Sequence, residues 1–274
     1  ECTKLVKYYN ITDRTCSNRN SSIKWIADKL GTRCVGNIKP YEIAIELKLE
    51  YSIHQAKAKR LLIEIKNMFT EAIIYGWINT NPAIYLKAQP VTIQRQRMTL
   101  EEWQLMYEYS KRYCAKWVSI LLSLALVTGQ RRADLGTFKF TDIKDGNLYL
   151  QQQKTGTKLA IPLRIKLDVI DTSLQDIVEQ AKSYYVYGET IIRKHNGSSL
   201  SLASLSSVFH DIVVELDLGK NITLHECRSL SERLYREQGI NTRLLLGHKH
   251  QSMTDMYNDD RGLNKHSYTI IPIN

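Results

Sequence analysis

Paired cysteines, long apolar runs and clustered carboxylates are all missing from this chain of 274 residues. The five cysteines, Cys2, Cys16, Cys34, Cys114 and Cys227, are odd in number and scattered, with no CxxC pair and no Cys/His group at zinc spacing. That pattern excludes a disulfide scaffold and a zinc module, and points to a reducing, cytoplasmic compartment. The longest apolar stretch, Trp117 to Val127, is interrupted by Ser119 and Ser123 and is too short to span a bilayer. No signal peptide or anchor is visible, so no membrane partner is expected. No carboxylate cluster stands at metal spacing, which argues against metal-dependent chemistry, and neither metal nor other cofactor is expected. Internal repeats and low-complexity tracts are absent as well. The opening Glu1, in place of Met, admits a processed or truncated form.

What is present is ordinary globular composition with a basic excess. Hydrophobic residues make up 43% and charged residues 24%, which suits a folded protein, and the length suits two domains. The formal net charge is +10, with a pI near 9.3. Residues 1 to 96 carry 15 Lys/Arg against 8 Asp/Glu, a net of +7, and the remaining 178 residues only +3. A polyanion such as nucleic acid is therefore a favoured partner, although charge alone does not establish one.

The first 90 residues read as helices separated by breakers. Ile23, Ile26, Ala27 and Leu30 fall at helical spacing before Gly31, and Pro40 opens a second helix through Leu47. A third runs from about Ser52 to Tyr75, with Leu61, Ile65, Met68, Phe69, Ala72 and Ile73 on its apolar side. Residues 1–87 are thus expected to form a helical domain, followed by an exposed basic linker over 88–98 carrying Arg95 and Arg97. The second domain, 99–274, opens with the Thr99/Glu102 capping box and a buried helix over Trp117 to Val127 that stops at Gly129. From Phe138 to Leu163 the period changes to that of three short antiparallel strands. Helices resume over about Ile165 to Tyr185 and Leu202 to Leu216, and then after a Thr223/Glu226 capping box. The fold class is mainly α with a small three-stranded antiparallel sheet. Ser267 to Ile273 alternates enough to form a terminal strand.

Cationic and proton-transferring side chains gather at the boundaries of these elements, where active sites tend to lie. Arg131 follows the Gly129 stop, and Lys154 sits at a strand turn. His225 and Arg228 share one helical face at i and i+3, near a helix N-terminus that favours anions. His248 follows Gly247, and Tyr257 comes nine residues later. Each taken singly has a bland explanation: a turn lysine is usually a solvated charge, and the chain has 16 tyrosines. Lys57, Lys59 and Arg60 on the third helix are likewise either a solvated face or a DNA backbone contact.

The combination is more specific. TGQRRADL (Thr128 to Leu135), QKTG (Gln153 to Gly156), HECR (His225 to Arg228), LGHK (Leu246 to Lys249) and MYNDDRG (Met256 to Gly262) occur in one order after a basic helical region. That order resembles the catalytic domain of tyrosine site-specific recombinases, and most closely lambda-type phage integrases. The resemblance covers residues 97 to 262 strongly and extends more weakly over 1 to 96 as a core-DNA-binding domain.

It implies cleavage and rejoining of DNA through a covalent 3′-phosphotyrosine, for integrating or excising a mobile element. Arg131 and Arg228 would clamp the scissile phosphate, Lys154 would protonate the leaving 5′ oxygen and His225 would exchange the proton of the nucleophile. His248 would hydrogen-bond the phosphate, Tyr257 would attack phosphorus, and Asp134 would support the site. Such chemistry needs fixed cations because charge builds on the equatorial oxygens during attack, and a proton acceptor because a free phenol has a pKa of about 10. The resemblance also implies double-stranded DNA core sites as substrate, a homotetramer on two synapsed sites, and DNA-bending and excision partners. Lambda-type integrases carry a further N-terminal arm-binding domain that nothing here matches. Two other functions fit part of the pattern: a type IB topoisomerase-like enzyme, and a sequence-specific DNA-binding protein without catalysis. Finally, one straight helix from His248 to Tyr257 would separate them by about 13 Å, so a bend or a moving segment is expected between them.

Overall fold

The computed structural model describes residues 13–92, 96–184, 187–219 and 221–258. The chain divides into two compact units, Glu1–Ile93 and Gln94–Asn274. Arg95 and the Ser267 to Ile273 segment lie outside the described residues.

Unit 1 holds three helices: α1 (Asp13–Leu30), α2 (Pro40–Ile53) and α3 (Gln55–Ile74). Ile26 and Leu30 of α1, Ile43 of α2, and Ile65 and Phe69 of α3 are buried together. Ile23 and Ala27 instead face solvent, so the apolar edge of α1 is narrower than its spacing suggests. The break between α2 and α3 falls at His54, whose extended backbone interrupts the helix two residues later than the expected start of the third helix. Neither Gly nor Pro marks this break, so periodicity gives no sign of it. Glu50 fastens the three helices, accepting from Trp25 Nε1 at 2.9 Å and pairing with Lys57 Nζ at 2.9 Å.

Unit 2 is built round α5 (Lys116–Thr128), buried from Val118 to Thr128. Against it pack α4 (Leu100–Tyr113), which carries the expected Thr99/Glu102 capping box, and the later helices α7 (Leu174–Ser183) and α9 (His225–Glu237). The short α6 (Arg132–Leu135) follows α5. A three-stranded antiparallel sheet runs β1 (Ile143–Lys144), β2 (Asn147–Gln151), β3 (Lys158–Pro162), with buried Leu148 facing Ile161. Its first strand is shorter than expected. Phe140–Asp142 form a 3-10 turn, closed by the Asp142 carboxylate accepting from Lys139 N at 3.1 Å.

The helix expected from Ile165 also begins late. Lys166–Leu167 (β4) pairs with Thr172–Ser173 (β5) across a turn containing Asp171 at φ 48°, and only then does α7 start. Ser173 and Asp176 make its capping box, a local signal stronger than the apolar spacing upstream. The remaining helices are α8 (Leu202–Glu215), α10 (Thr242–Leu246) and α11 (Gln251–Asn258). Among the described residues no helix is long and apolar enough to cross a membrane.

Candidate active site

The site forms where α5 ends and α9 begins. Gly129 closes α5 at φ 61°, and a Cβ there would lie 2.8 Å from the side chains of Leu246 and Ser231, so both the turn and the packing demand glycine. This close approach sets the Gly129 carbonyl against α9, where it accepts from Arg228 Nη1 at 2.7 Å. Arg228 is 1% exposed and also donates through Nη2 to Leu246 O at 2.8 Å and His248 Nε2 at 2.9 Å. Burial pulls its guanidinium down to about 10, Tyr257 opposing the change and the Arg131 charge adding to it, so it remains cationic at neutral pH. Its Nε has no hydrogen-bond partner among the described residues.

The N-terminus of α9 differs from expectation. The helix starts at His225 with Leu224 in the capping position and no side-chain cap, so the Thr223/Glu226 box is not formed. Glu226 is wholly buried and turns inward to Arg97 at 3.2 Å, because a desolvated carboxylate gains more from a guanidinium than from a backbone amide.

Arg131 and the turn that carries Lys154 are linked through a residue that sequence reasoning missed. The Gln152 side chain is fully buried; its Oε1 accepts from Arg131 Nη1 at 2.9 Å and from Thr155 Oγ1 at 2.7 Å. Its Nε2 donates to Gln130 Oε1 at 2.8 Å and Leu246 O at 3.0 Å. One amide thus ties together the arginine, the β2–β3 turn and the end of α10. Asp134, also buried, accepts from Gln153 N at 2.8 Å and holds the other side of that turn. Lys154 itself stands exposed at the tip, between these two anchored neighbours. Gln152 stands immediately before the QKTG motif, whose residues alone give no sign of its role.

His248 and Tyr257 close the group. Gly247 ends α10 at φ 65°, the chain turns through His248–His250, and α11 starts afresh at Gln251, so the two residues do not lie on one straight helix. The Tyr257 phenol oxygen lies 3.3 Å from His225 Nε2, its ring stacks on His248 at 5.6 Å, and Arg228 Cζ sits 5.8 Å from the ring centre. His248 Nε2 receives an N–H from Arg228, which has only donors, so its proton sits on Nδ1 and is given to Thr254 Oγ1 at 2.9 Å. In this arrangement Nε2 has no hydrogen to offer a phosphate, and His248 instead orients Arg228.

Burial, with the Arg228 and Arg131 charges, lowers His248 to about 4 from 6.5. The unfolded chain therefore takes up a proton between about pH 6.5 and 4 that the folded chain refuses. Folding stability falls across that window as pH drops, by roughly 3 kcal/mol in all. Denaturation midpoints measured from pH 7 to 4 should fall less steeply in His248→Gln than in the parent. Parallel curves would mean that His248 titrates freely.

The residues proposed for DNA contact separate into two kinds. Lys59 and Arg60 are exposed on α3, whereas Lys57 is half-buried and paired with Glu50. Arg97 corrects the expectation of an exposed linker: at 2% exposure it lies inside unit 2, as does Met98, because its charge is matched by Glu226. No group of three or more His, Cys, Asp or Glu that could hold a metal occurs among the described residues.

A mainly helical unit that brings two arginines, two histidines and a tyrosine to one point, beside a lysine-bearing turn, defines a tyrosine recombinase. Residues 96–262 match the model of the phage integrase family, and the chain belongs to that family. Its likeness is to the lambda type. It is similar to lambda integrase of Escherichia phage lambda as a dimer bound to a COC′ core site, with 34% identity, a TM-score of 0.91, and coverage of 99% of this chain and 96% of that one. The lambda integrase tetramer bound to a Holliday junction matches at 34% identity with a TM-score of 0.90, covering 99% of this chain and 78% of that one. The integrase of Enterobacteria phage P21 is 39% identical over 221 residues, or 76% of this chain. The chain spans 58% of the length of the P21 protein.

Proposed function

We propose that the chain is the DNA-cleaving and rejoining part of a site-specific recombinase that integrates or excises a mobile element. The observation that carries this is the Tyr257 phenol set against His225, with Arg228, buried and holding an Nε–H in reserve, beside it. A buried unmade donor costs about 1–3 kcal/mol, which an anionic oxygen would return.

In this mechanism Tyr257 Oη attacks phosphorus as its proton passes to His225. The Oη–P bond forms, the P–O5′ bond breaks, and Lys154 gives the departing oxygen its proton. Arg131 and Arg228 grip the non-bridging oxygens, and their positive charges offset the negative charge that builds there in the transition state. Gln152 and Asp134 hold Arg131 and the Lys154 turn in place, and His248 buttresses Arg228. The 5′-hydroxyl of a second strand then attacks the phosphotyrosine: it gives its proton to Lys154, the P–O5′ bond forms, the Oη–P bond breaks and His225 returns the proton to Tyr257, so the exchange needs no ATP and no metal.

Unit 1 is assigned as the core-DNA-binding domain, with Lys59 and Arg60 on the backbone, and unit 2 as the catalytic domain. The substrate is double-stranded DNA core sites, engaged by a homotetramer on two synapsed duplexes. DNA-bending and excision proteins set direction, and the protein works on DNA in the cytoplasm of a bacterial host. The lambda integrase structures, a dimer bound to a core site and a tetramer bound to a Holliday junction, support this substrate and assembly. The test is a nicked half-site duplex from which the short fragment bearing the new 5′-hydroxyl escapes: a denaturant-resistant adduct, followed by joining of two duplexes at one defined position, is expected. Relaxation of supercoils without such joining would point to a topoisomerase, and binding without adduct to a non-catalytic DNA-binding protein.

A further inference from the structure

We propose that Arg97 is a positioning residue that holds Tyr257 in its docked place, a role that rests on the recombinase function proposed above. Among the described residues, helix α11 has few other side-chain fastenings. Of its residues from Gln251 to Met256 only Thr254 is buried, while Met253 and Met256 are exposed, Met256 to 71%. So short a helix buries too little apolar surface to fix itself by packing. Its attachments are polar: Thr254 to His248, the Tyr257 ring and phenol, and the Met256 carbonyl, which accepts from Arg97 Nη2 at 2.9 Å.

That last bond lies in the final turn of α11. A carbonyl oxygen accepting from a guanidinium makes a charge-assisted bond, stronger than one between neutral groups. Met256 is also the residue immediately before the nucleophile. The other arm of the same guanidinium pairs with Glu226 at 3.2 Å, and Glu226 follows His225 in the chain. One planar fork therefore spans the residue next to the nucleophile and the residue next to its proton partner. Arg97 is itself held from behind, since the Met98 carbonyl accepts from Arg233 Nη2 at 2.6 Å. The distance between phenol and imidazole is thus set by a rigid, buried clamp and not by the weak packing of α11.

Arg97→Met alone removes the charge that matches a buried carboxylate, and so lowers folding stability along with docking. Arg97→Met combined with Glu226→Gln removes that mismatch while still losing the bond to the Met256 carbonyl, and its melting temperature shows whether the fold is kept. A 3-fluorotyrosine placed at position 257 reports docking without DNA. In the parent its fluorine resonance is expected at a shifted, docked position, and in the folded double variant at the position of a solvent-exposed tyrosine. Single-turnover cleavage of the nicked half-site is expected to fall about 10²-fold, the scale of a displacement near 1 Å, with DNA affinity unchanged. A folded double variant with the parental fluorine resonance overturns the proposal, as does one that cleaves at the parental rate. Failure of the parent chain to form any adduct counts instead against the recombinase function, and leaves the fluorine measurement to decide the clamp.

Discussion

Tyr257→Phe is expected to form no denaturant-resistant adduct with the nicked half-site, while binding the same duplex with near-parental affinity. The substitution removes a single oxygen. Among the described residues that oxygen lies 3.3 Å from His225 Nε2, a length at which the bond is weak, and also interacts with the Arg228 guanidinium, so its loss should change folding by about 1 kcal/mol. The ring keeps its stacking on His248 and its place beside Arg228. DNA affinity resides in many phosphate contacts and counterion release, none of which the phenol supplies. Covalent chemistry, by contrast, has no substitute atom. The expected result is therefore complete loss of one activity with near silence in the others, read by adduct formation, a binding titration and a melting curve on the same sample. An adduct that persists in Tyr257→Phe would place the nucleophile on another of the 16 tyrosines and dissolve the mechanism.

How much of this was legible in the sequence depended on whether a feature was local. Gly129, the Thr99/Glu102 box and the all-apolar helix α5 are decided within a turn or two of chain, and the structure has them as expected. The break at His54 carries no glycine or proline, and the late start of α7 depends on a Ser173/Asp176 cap hidden behind a plausible apolar spacing. The motif residues Arg228, His248 and Tyr257 could be named because their order resembles a family, and the structure brings them together. Their supports could not. Gln152 meets Leu246 across 94 residues and Arg97 meets Met256 across 159, and a glutamine or an arginine in a polar stretch gives no hint of which distant carbonyl it will serve. Glu226 shows the same limit from the other side: the capping-box spacing was real, but a buried arginine outcompeted the local amide.

The two arginines should separate chemistry from architecture. Both Arg131→Ala and Arg228→Ala are expected to lose about 10²- to 10³-fold or more in single-turnover cleavage, since each removes a fixed donor aimed at developing charge. Their folding consequences should differ sharply. Arg131 is half-buried and, among the described residues, its side chain makes one hydrogen bond, to Gln152, so its loss should change stability by about 1 kcal/mol. Arg228 is almost wholly enclosed, and its removal strands the Gly129 carbonyl and the His248 acceptor, whereas the Leu246 carbonyl keeps its bond from Gln152. At about 1–3 kcal/mol for each of the two buried groups left unsatisfied, the loss should reach roughly 2–6 kcal/mol, a large part of the total for a domain of this size. Arg228→Ala should therefore melt well below Arg131→Ala, although both bind DNA. Arg228→Lys restores the charge without the planar fork, so it should recover part of the stability and little of the rate. Equal melting temperatures for the two alanine variants would show that Arg228 is held for catalysis alone and that the ends of α5 and α10 are joined by packing.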